Sequence, residues 1–103
     1  MKSPEECACL ADVRSSIDEL DHEIVSIIAR RARYVDVAAR FKGSAKGVRA
    51  PERQSEMLAE RRRWAEDEDL DPAAIEVLFQ DLVQYFIARE MLRWSAERTE
   101  NDT

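Results

Sequence analysis

The chain has 103 residues, of which 45% are hydrophobic and 37% are charged, and it holds only two glycines and three prolines. This composition is typical of long helices and disfavours both intrinsic disorder and a turn-rich β fold, so we expect a single all-α domain over residues 1–103. The net charge of −6 would repel a phosphate backbone, which excludes nucleic acid as a partner. The arginine cluster at 61–63 is therefore interpreted as a solvated helix face.

The sequence gives no sign of a metal site, a disulfide or a membrane segment. Cys7 and Cys9 are too close in the chain to bridge easily, and no second pair of Cys or His residues accompanies them. No run of about eighteen apolar residues occurs, and acidic residues interrupt the amino-terminal segment where a signal peptide would need an apolar core. We expect a cytoplasmic protein without a metal ion.

A long first helix is predicted over residues 10–42. Apolar residues recur there at steps of three and four, without a glycine or proline until Gly43. The residues of this apolar stripe are Leu10, Val13, Ile17, Leu20, Ile24, Ile27, Ile28, Val35, Ala38 and Phe41. Both glycines of the chain fall in the following segment, residues 43–50, which is predicted to be a mobile loop.

Two further helices are predicted after this loop. Pro51 suits the first turn of a helix, so a short second helix is predicted over residues 51–67. Asp71 can cap the amino terminus of a third helix of medium length. That helix begins at Pro72, and its predicted span is 72–97.

The unequal helix lengths predict an intertwined homodimer. A first helix of about 32 residues would extend for about 48 Å, whereas the second would be about half as long. A single chain would therefore leave much of the apolar stripe in water. Exposed stripes of this extent usually mark a partner surface, and a two-fold dimer is the commonest arrangement.

Two cations lie within the apolar stripe of the predicted first helix. Arg31 and Lys42 are eleven residues apart and project to the same side of the helix within about 20°. Either they extend their charged heads into water, or they line a dry pocket that binds an anion. Arg14 lies about 25 Å along the helix from Arg31, so we expect it to serve the pocket of the partner chain.

The predicted third helix places an acidic residue on its apolar side. Glu90 follows Phe86 by four residues and precedes Arg93 by three. In one interpretation Glu90 is buried and protonated, and it donates a hydrogen bond. In the other it lies at the boundary of the apolar face and pairs with Arg89 or Arg93 along the helix.

An ordered series of motifs covers nearly the whole chain. It runs from SPEECACLADVRSSIDELD through ARRARYV and RFK, and continues with APER, RWAE, LDP and YFIARE. In these motifs the chain resembles the all-helical chorismate mutases, and in particular the bacterial isochorismate pyruvate-lyases of salicylate and siderophore biosynthesis. The resemblance implies an intertwined homodimer of three-helix chains with an active site shared between them.

The resemblance also assigns residues to that site. The implied substrate-binding residues are Arg14, Arg31, Arg53 and Gln54. The implied catalytic residues are Lys42 and Glu90. Glu90 stands where the lyases have glutamine, and Gln54 stands where the mutases commonly have glutamate and the lyases an apolar residue.

The implied reaction needs no cofactor and acts on a small dicarboxylate. Isochorismate would be converted to salicylate and pyruvate in one pericyclic step, with chorismate mutase activity as a side reaction. A dedicated chorismate mutase that forms prephenate is the alternative within the family. A non-catalytic helical dimerisation module is the alternative outside it, although a coiled-coil seam would exclude so many cations.

Overall fold

A computed structural model of the chain describes residues 1–41 and 50–101. Over these residues it contains three α-helices, two short 3-10 turns and no β-strand. The helices are α1 (Leu10–Ala38), α2 (Pro51–Asp67) and α3 (Pro72–Asn101), and the 3-10 turns are Pro4–Glu6 and Ala39–Phe41. The all-α, three-helix prediction is thus confirmed. The chain divides into two compact units, Met1–Tyr34 and Val35–Thr103.

The helix ends differ from the predicted ones at two places. α1 ends at Ala38 and tightens into the 3-10 turn Ala39–Phe41, which is a common way to close the last turn of a helix. α3 continues past residue 97 to Asn101, because its last residues include no glycine or proline that would stop it. It therefore has 30 residues against 29 in α1, and not the medium length that we expected.

In the first unit, the amino-terminal segment docks onto the start of α1. Lys2 Nζ lies 3.0 Å from Asp12 Oδ2, and the backbone N–H of Ala8 donates to the same oxygen at 2.9 Å. The Ser16 hydroxyl donates to the carbonyl of Lys2 at 3.2 Å. The hydrogen bond from Ala8, followed by the contact with Lys2, holds the pKa of Asp12 below its ordinary value of 3.8.

In the second unit, α2 and α3 form a helical hairpin around a small core. Its most buried apolar side chains are Met57 and Ala65 on α2, and Val83 and Phe86 on α3. The ion pair between Arg62 and Glu76 joins the two helices at their surface. The packing of α2 against α3 in this hairpin fixes the position of the buried residues of α3.

The connection between α2 and α3 is short, because a hydrogen-bonded turn ends α2 and reverses the chain. Leu70 N–H donates to the Ala65 carbonyl at 2.8 Å and Asp69 N–H to the Glu66 carbonyl at 3.2 Å, which is the hydrogen-bond pattern of a Schellman motif. Asp69 takes the left-handed conformation that this motif needs, with φ of 56°. Asp71 Oδ1 then accepts a hydrogen bond from Ala73 N–H at 3.0 Å, so the predicted cap of the third helix is confirmed.

The interpretation of the arginine cluster at 61–63 as a solvated face was wrong for Arg61. Its side chain is only 15% exposed, and its guanidinium carbon lies 4.4 Å from the ring centroid of Trp64 and 5.7 Å from that of Phe79. Arg61 stands one turn from both Met57 and Ala65, so it falls on the buried face of α2. The spacing of Arg61 from these apolar residues was the signal in the sequence.

The docked amino-terminal segment should respond to acid in a defined way. Because the folded pKa of Asp12 is lowered, its contribution to stability is complete above the unfolded value of 3.8 and is lost as the pH falls through the lowered value. We expect the amide resonance of Ala8 to titrate with a midpoint below 3.8.

An NMR titration of the Ala8 amide, with circular dichroism recorded in parallel to follow helix content, tests this expectation. Asp12→Asn is the matched variant, since it keeps the shape of the side chain and removes its charge. The Ala8 amide of that variant should not titrate in this range. A wild-type midpoint at or above the ordinary value would contradict the role given to Asp12.

Candidate active site

Two of the predicted substrate-binding arginines lie on α1. Arg14 is exposed in the first half of the helix, whereas Arg31 is half-buried and its Nη1 is shielded from solvent. Seventeen residues of helix separate them, which corresponds to about 25 Å along the axis. The two guanidinium groups of one chain therefore occupy separate positions along α1.

The apolar stripe of α1 is open to solvent in the single chain. Six of its large side chains in the first unit are between 39% and 60% exposed, while Ile28 is half-buried. The six are Leu10, Val13, Ile17, Leu20, Ile24 and Ile27. At 100° per residue these six positions fall within an arc of about 100°, and Arg31 projects into the same arc. The half-buried arginine thus belongs to a continuous apolar surface.

Glu90 is buried on α3, with only 5% of the residue exposed. Among the described residues it is the one charged residue with so little exposure. It stands seven residues after Val83 and four after Phe86, and so continues the buried stripe of the third helix. The burial of Glu90 is confirmed, so it does not lie at the boundary of the apolar face, while its proton and its role as a donor stay predictions.

The first turn of α2 carries the two other predicted binding residues. Arg53 is exposed and Gln54 is half-buried, and the backbone N–H of Gln54 donates to the carbonyl of Ala50 at 3.0 Å. Ala50 has a left-handed φ of 36° immediately before Pro51, which opens the helix. A non-glycine residue rarely takes this conformation, so the entry to α2 is a constrained point in the backbone.

The predicted residues divide between the two units. Arg14 and Arg31 belong to Met1–Tyr34. Arg53, Gln54 and Glu90 belong to the second unit. Lys42 and nearly all of the predicted loop 43–50 lie outside the described residues.

Sequence reasoning missed a charged cluster in the second unit. Asp36 Oδ2 lies 3.3 Å from Arg89 Nη2 and 3.3 Å from Arg93 Nη1. Asp36 is therefore joined to both arginines that we considered as partners of Glu90. The sequence held two signs of this cluster. Two arginines stand four residues apart on one helix, and a lone acid lies within an apolar segment of another.

A cleft of about 360 Å³ lies at the docked amino-terminal segment. Its lining residues are Met1, Lys2, Glu6, Asp12, Ser15, Ser16 and Glu19. None of them is a predicted site residue. Hydrogen bonds from the side chain and the backbone of Ser3 lower the pKa of Glu6. This carboxylate therefore stabilises the 3-10 turn Pro4–Glu6.

Over the described residues, no helix is both long enough and apolar enough to cross a membrane.

Comparison with known proteins identifies the family. The family model described as chorismate mutase type II matches residues 13–91, which is more than half of the chain. The chain belongs to this family. The matched span of the type II chorismate mutase includes Arg14, Arg31, Arg53, Gln54 and Glu90, and it also contains Asp36.

A curated relative extends the likeness over almost the whole length of the type II chorismate mutase chain. The isochorismate pyruvate lyase of Pseudomonas aeruginosa is 45% identical over 98 residues, which cover 95% of this chain and 97% of that protein. The family prediction and the likeness to the lyases are both confirmed.

Proposed function

We propose that the protein is an isochorismate pyruvate-lyase with a secondary chorismate mutase activity. The observation that carries this proposal is the 45% identity to an isochorismate pyruvate lyase across nearly the full length of both chains. Fold alone would not choose a reaction, since one fold can host different activities. An identity of this extent favours the lyase.

The reaction is balanced within the substrate. The hydrogen on the ring carbon that bears the hydroxyl moves to the enolpyruvyl methylene, which becomes the methyl group of pyruvate. The bond between the ring and the ether oxygen breaks, and that oxygen becomes the ketone of pyruvate. The ring becomes aromatic and leaves as salicylate. No nucleophile, metal or cofactor is required, so the protein has to position the substrate and stabilise charge.

Arginines suit the two carboxylates of the substrate. A guanidinium group can bind a carboxylate through two parallel hydrogen bonds, which fixes both position and orientation. We assign Arg31 of one chain to one carboxylate and Arg14 of the partner chain to the other. Arg53 and Gln54 complete the binding set from the first turn of α2.

Lys42 and Glu90 are assigned to the ether oxygen, on which negative charge develops. Lys42 supplies a cation and a hydrogen bond. Glu90 supplies a hydrogen bond only when it is protonated, because an ionised carboxylate accepts and does not donate. Closure of the loop 43–50 over the substrate would bring Lys42 into place and exclude water.

A homodimer explains both the exposed stripe and the distance between the arginines. The six exposed apolar side chains of α1 form the kind of surface that a second copy covers. Arg14 lies about 25 Å along the helix from Arg31, so one small molecule cannot contact both groups of a single straight helix. A site that combines Arg14 of one chain with Arg31 of the other meets this constraint.

The first test compares the two substrates. Purified protein mixed with isochorismate should release salicylate, which is followed by its fluorescence, and should turn over chorismate more slowly. Arg31→Ala and Lys42→Ala should each lower kcat/KM by about 10²- to 10³-fold, since each removes a charged donor from the site. Arg33→Ala, at an exposed position on the same helix, should leave kcat/KM within about twofold.

The outcomes of this comparison separate the candidate functions. Faster turnover of chorismate than of isochorismate would identify a dedicated chorismate mutase, the alternative that the family model suggests. Absence of turnover with either substrate would favour a non-catalytic dimerisation module.

A mixing experiment tests whether the site is shared. Arg14→Ala and Arg31→Ala homodimers should each be nearly inactive. After the two variants are unfolded and refolded together, a mixed dimer would have one site with both arginines present and one with neither. We expect recovery of about one quarter of wild-type activity at equal mixing. No recovery, with mixed dimers demonstrated by native mass spectrometry, would place both arginines of a site on one chain.

The hydrogen bond assigned to Glu90 is tested by two substitutions. Glu90→Gln keeps a donor of the same size at this position and should retain kcat, whereas Glu90→Ala removes the donor and should lower kcat by about 10²-fold. Measurement of kcat for both variants checks this expectation, and an unchanged kcat in Glu90→Ala would remove Glu90 from the mechanism.

A further inference from the structure

The last turns of α1 hold a carboxylate that neither the substrate nor the reaction uses directly. Asp36 has a side chain that is 23% exposed, and its Oδ2 is shared by the guanidinium groups of Arg89 and Arg93. Its Oδ1 is buried and accepts no hydrogen bond from the described residues. A buried polar atom without a partner is unusual and asks for an explanation other than stability.

Arg89 and Arg93 bracket Glu90 on α3. They stand four residues apart, so they form one stripe of the helix. Phe86 projects between this stripe and Glu90, which lies about 60° further round the helix from Arg93. A single carboxylate that holds two points of one stripe restrains the rotation of the helix about its own axis. We infer that Asp36 is a positioning residue for Glu90, acting through Arg89 and Arg93; this inference rests on the proposed function.

The size of the effect follows from helix geometry. The carboxyl group of a glutamate lies about 6 Å from the helix axis, so a rotation of about 10° displaces it by about 1 Å. A displacement of that size at a reacting group costs about a hundredfold in rate. The charge-assisted hydrogen bond from Arg89 and the ion pair with Arg93 join one carboxylate to two points of the helix, and together they oppose such a rotation.

Loss of Asp36 is expected to affect kcat and KM differently. Substrate affinity depends on the arginines that bind the carboxylates, and Asp36 contacts none of the arginines that we assign to binding. Loss of Asp36 should therefore lower kcat, by about a hundredfold for Asp36→Ala, while KM stays within about threefold. Asp36→Asn keeps the size of the side chain and should give a smaller loss of kcat. Asp18→Ala removes an exposed acid from the same helix and is the matched control.

A charge reversal distinguishes positioning from general stability. The double variant Asp36→Lys with Arg89→Glu reverses the pair and keeps the summed charge of the cluster. The acid that it places on α3 lies four residues before Arg93, a favourable spacing on a helix. The double variant should recover most of kcat, while Arg89→Glu alone should not.

The experiment measures kcat and KM of these variants with whichever of isochorismate and chorismate the wild type turns over, with melting temperatures recorded in parallel. An unchanged kcat in Asp36→Asn and Asp36→Ala would overturn the inference and leave the proposed function intact. A rise in KM without a fall in kcat, or a kcat in the charge-reversed variant that stays as low as in Asp36→Ala, would also overturn it. No turnover by the wild type would overturn the proposed function and this inference together.

Discussion

The structure depends on charged side chains that stand within apolar helix faces. A charged group on such a face must keep contact with water, meet an opposite charge or receive a ligand, because its burial alone is costly. Arg61 meets two aromatic rings and Asp36 meets two guanidinium groups. Arg31 lies in the apolar stripe of α1, and its Nη1 is shielded from solvent.

The proposed reaction needs few chemical groups from the protein. A pericyclic reaction needs neither a nucleophile nor a redox centre, and its rate depends on the conformation of the substrate and on the charge around it. Helices suit this task, since a side chain on a packed helix has little freedom to move. On α3, Glu90 is held in this way, because it continues the buried stripe that Val83 and Phe86 anchor.

The sequence predicted the three helices, and the reasons are local: apolar steps of three and four residues, Pro51, Asp71 and Pro72 marked the elements. It left the burial of Glu90 as one of two interpretations, because a glutamate four residues after Phe86 can also lie at the edge of the apolar face, and the structure decides for burial. The contacts between helices were harder to predict. Asp36 and Arg89 are 53 residues apart in the chain, and no periodicity in either helix indicates that they meet. The end of α3 was also missed, since nothing in its last residues forces a helix either to stop or to continue.

The surroundings of Trp64 have a practical consequence for solution work. Trp64 is about half exposed, and the guanidinium group of Arg61 lies against both its ring and the ring of Phe79 on α3. With the other tryptophan, Trp94, replaced, the fluorescence of Trp64 would therefore report whether Arg61 still joins α2 to α3. Such a signal needs no added label.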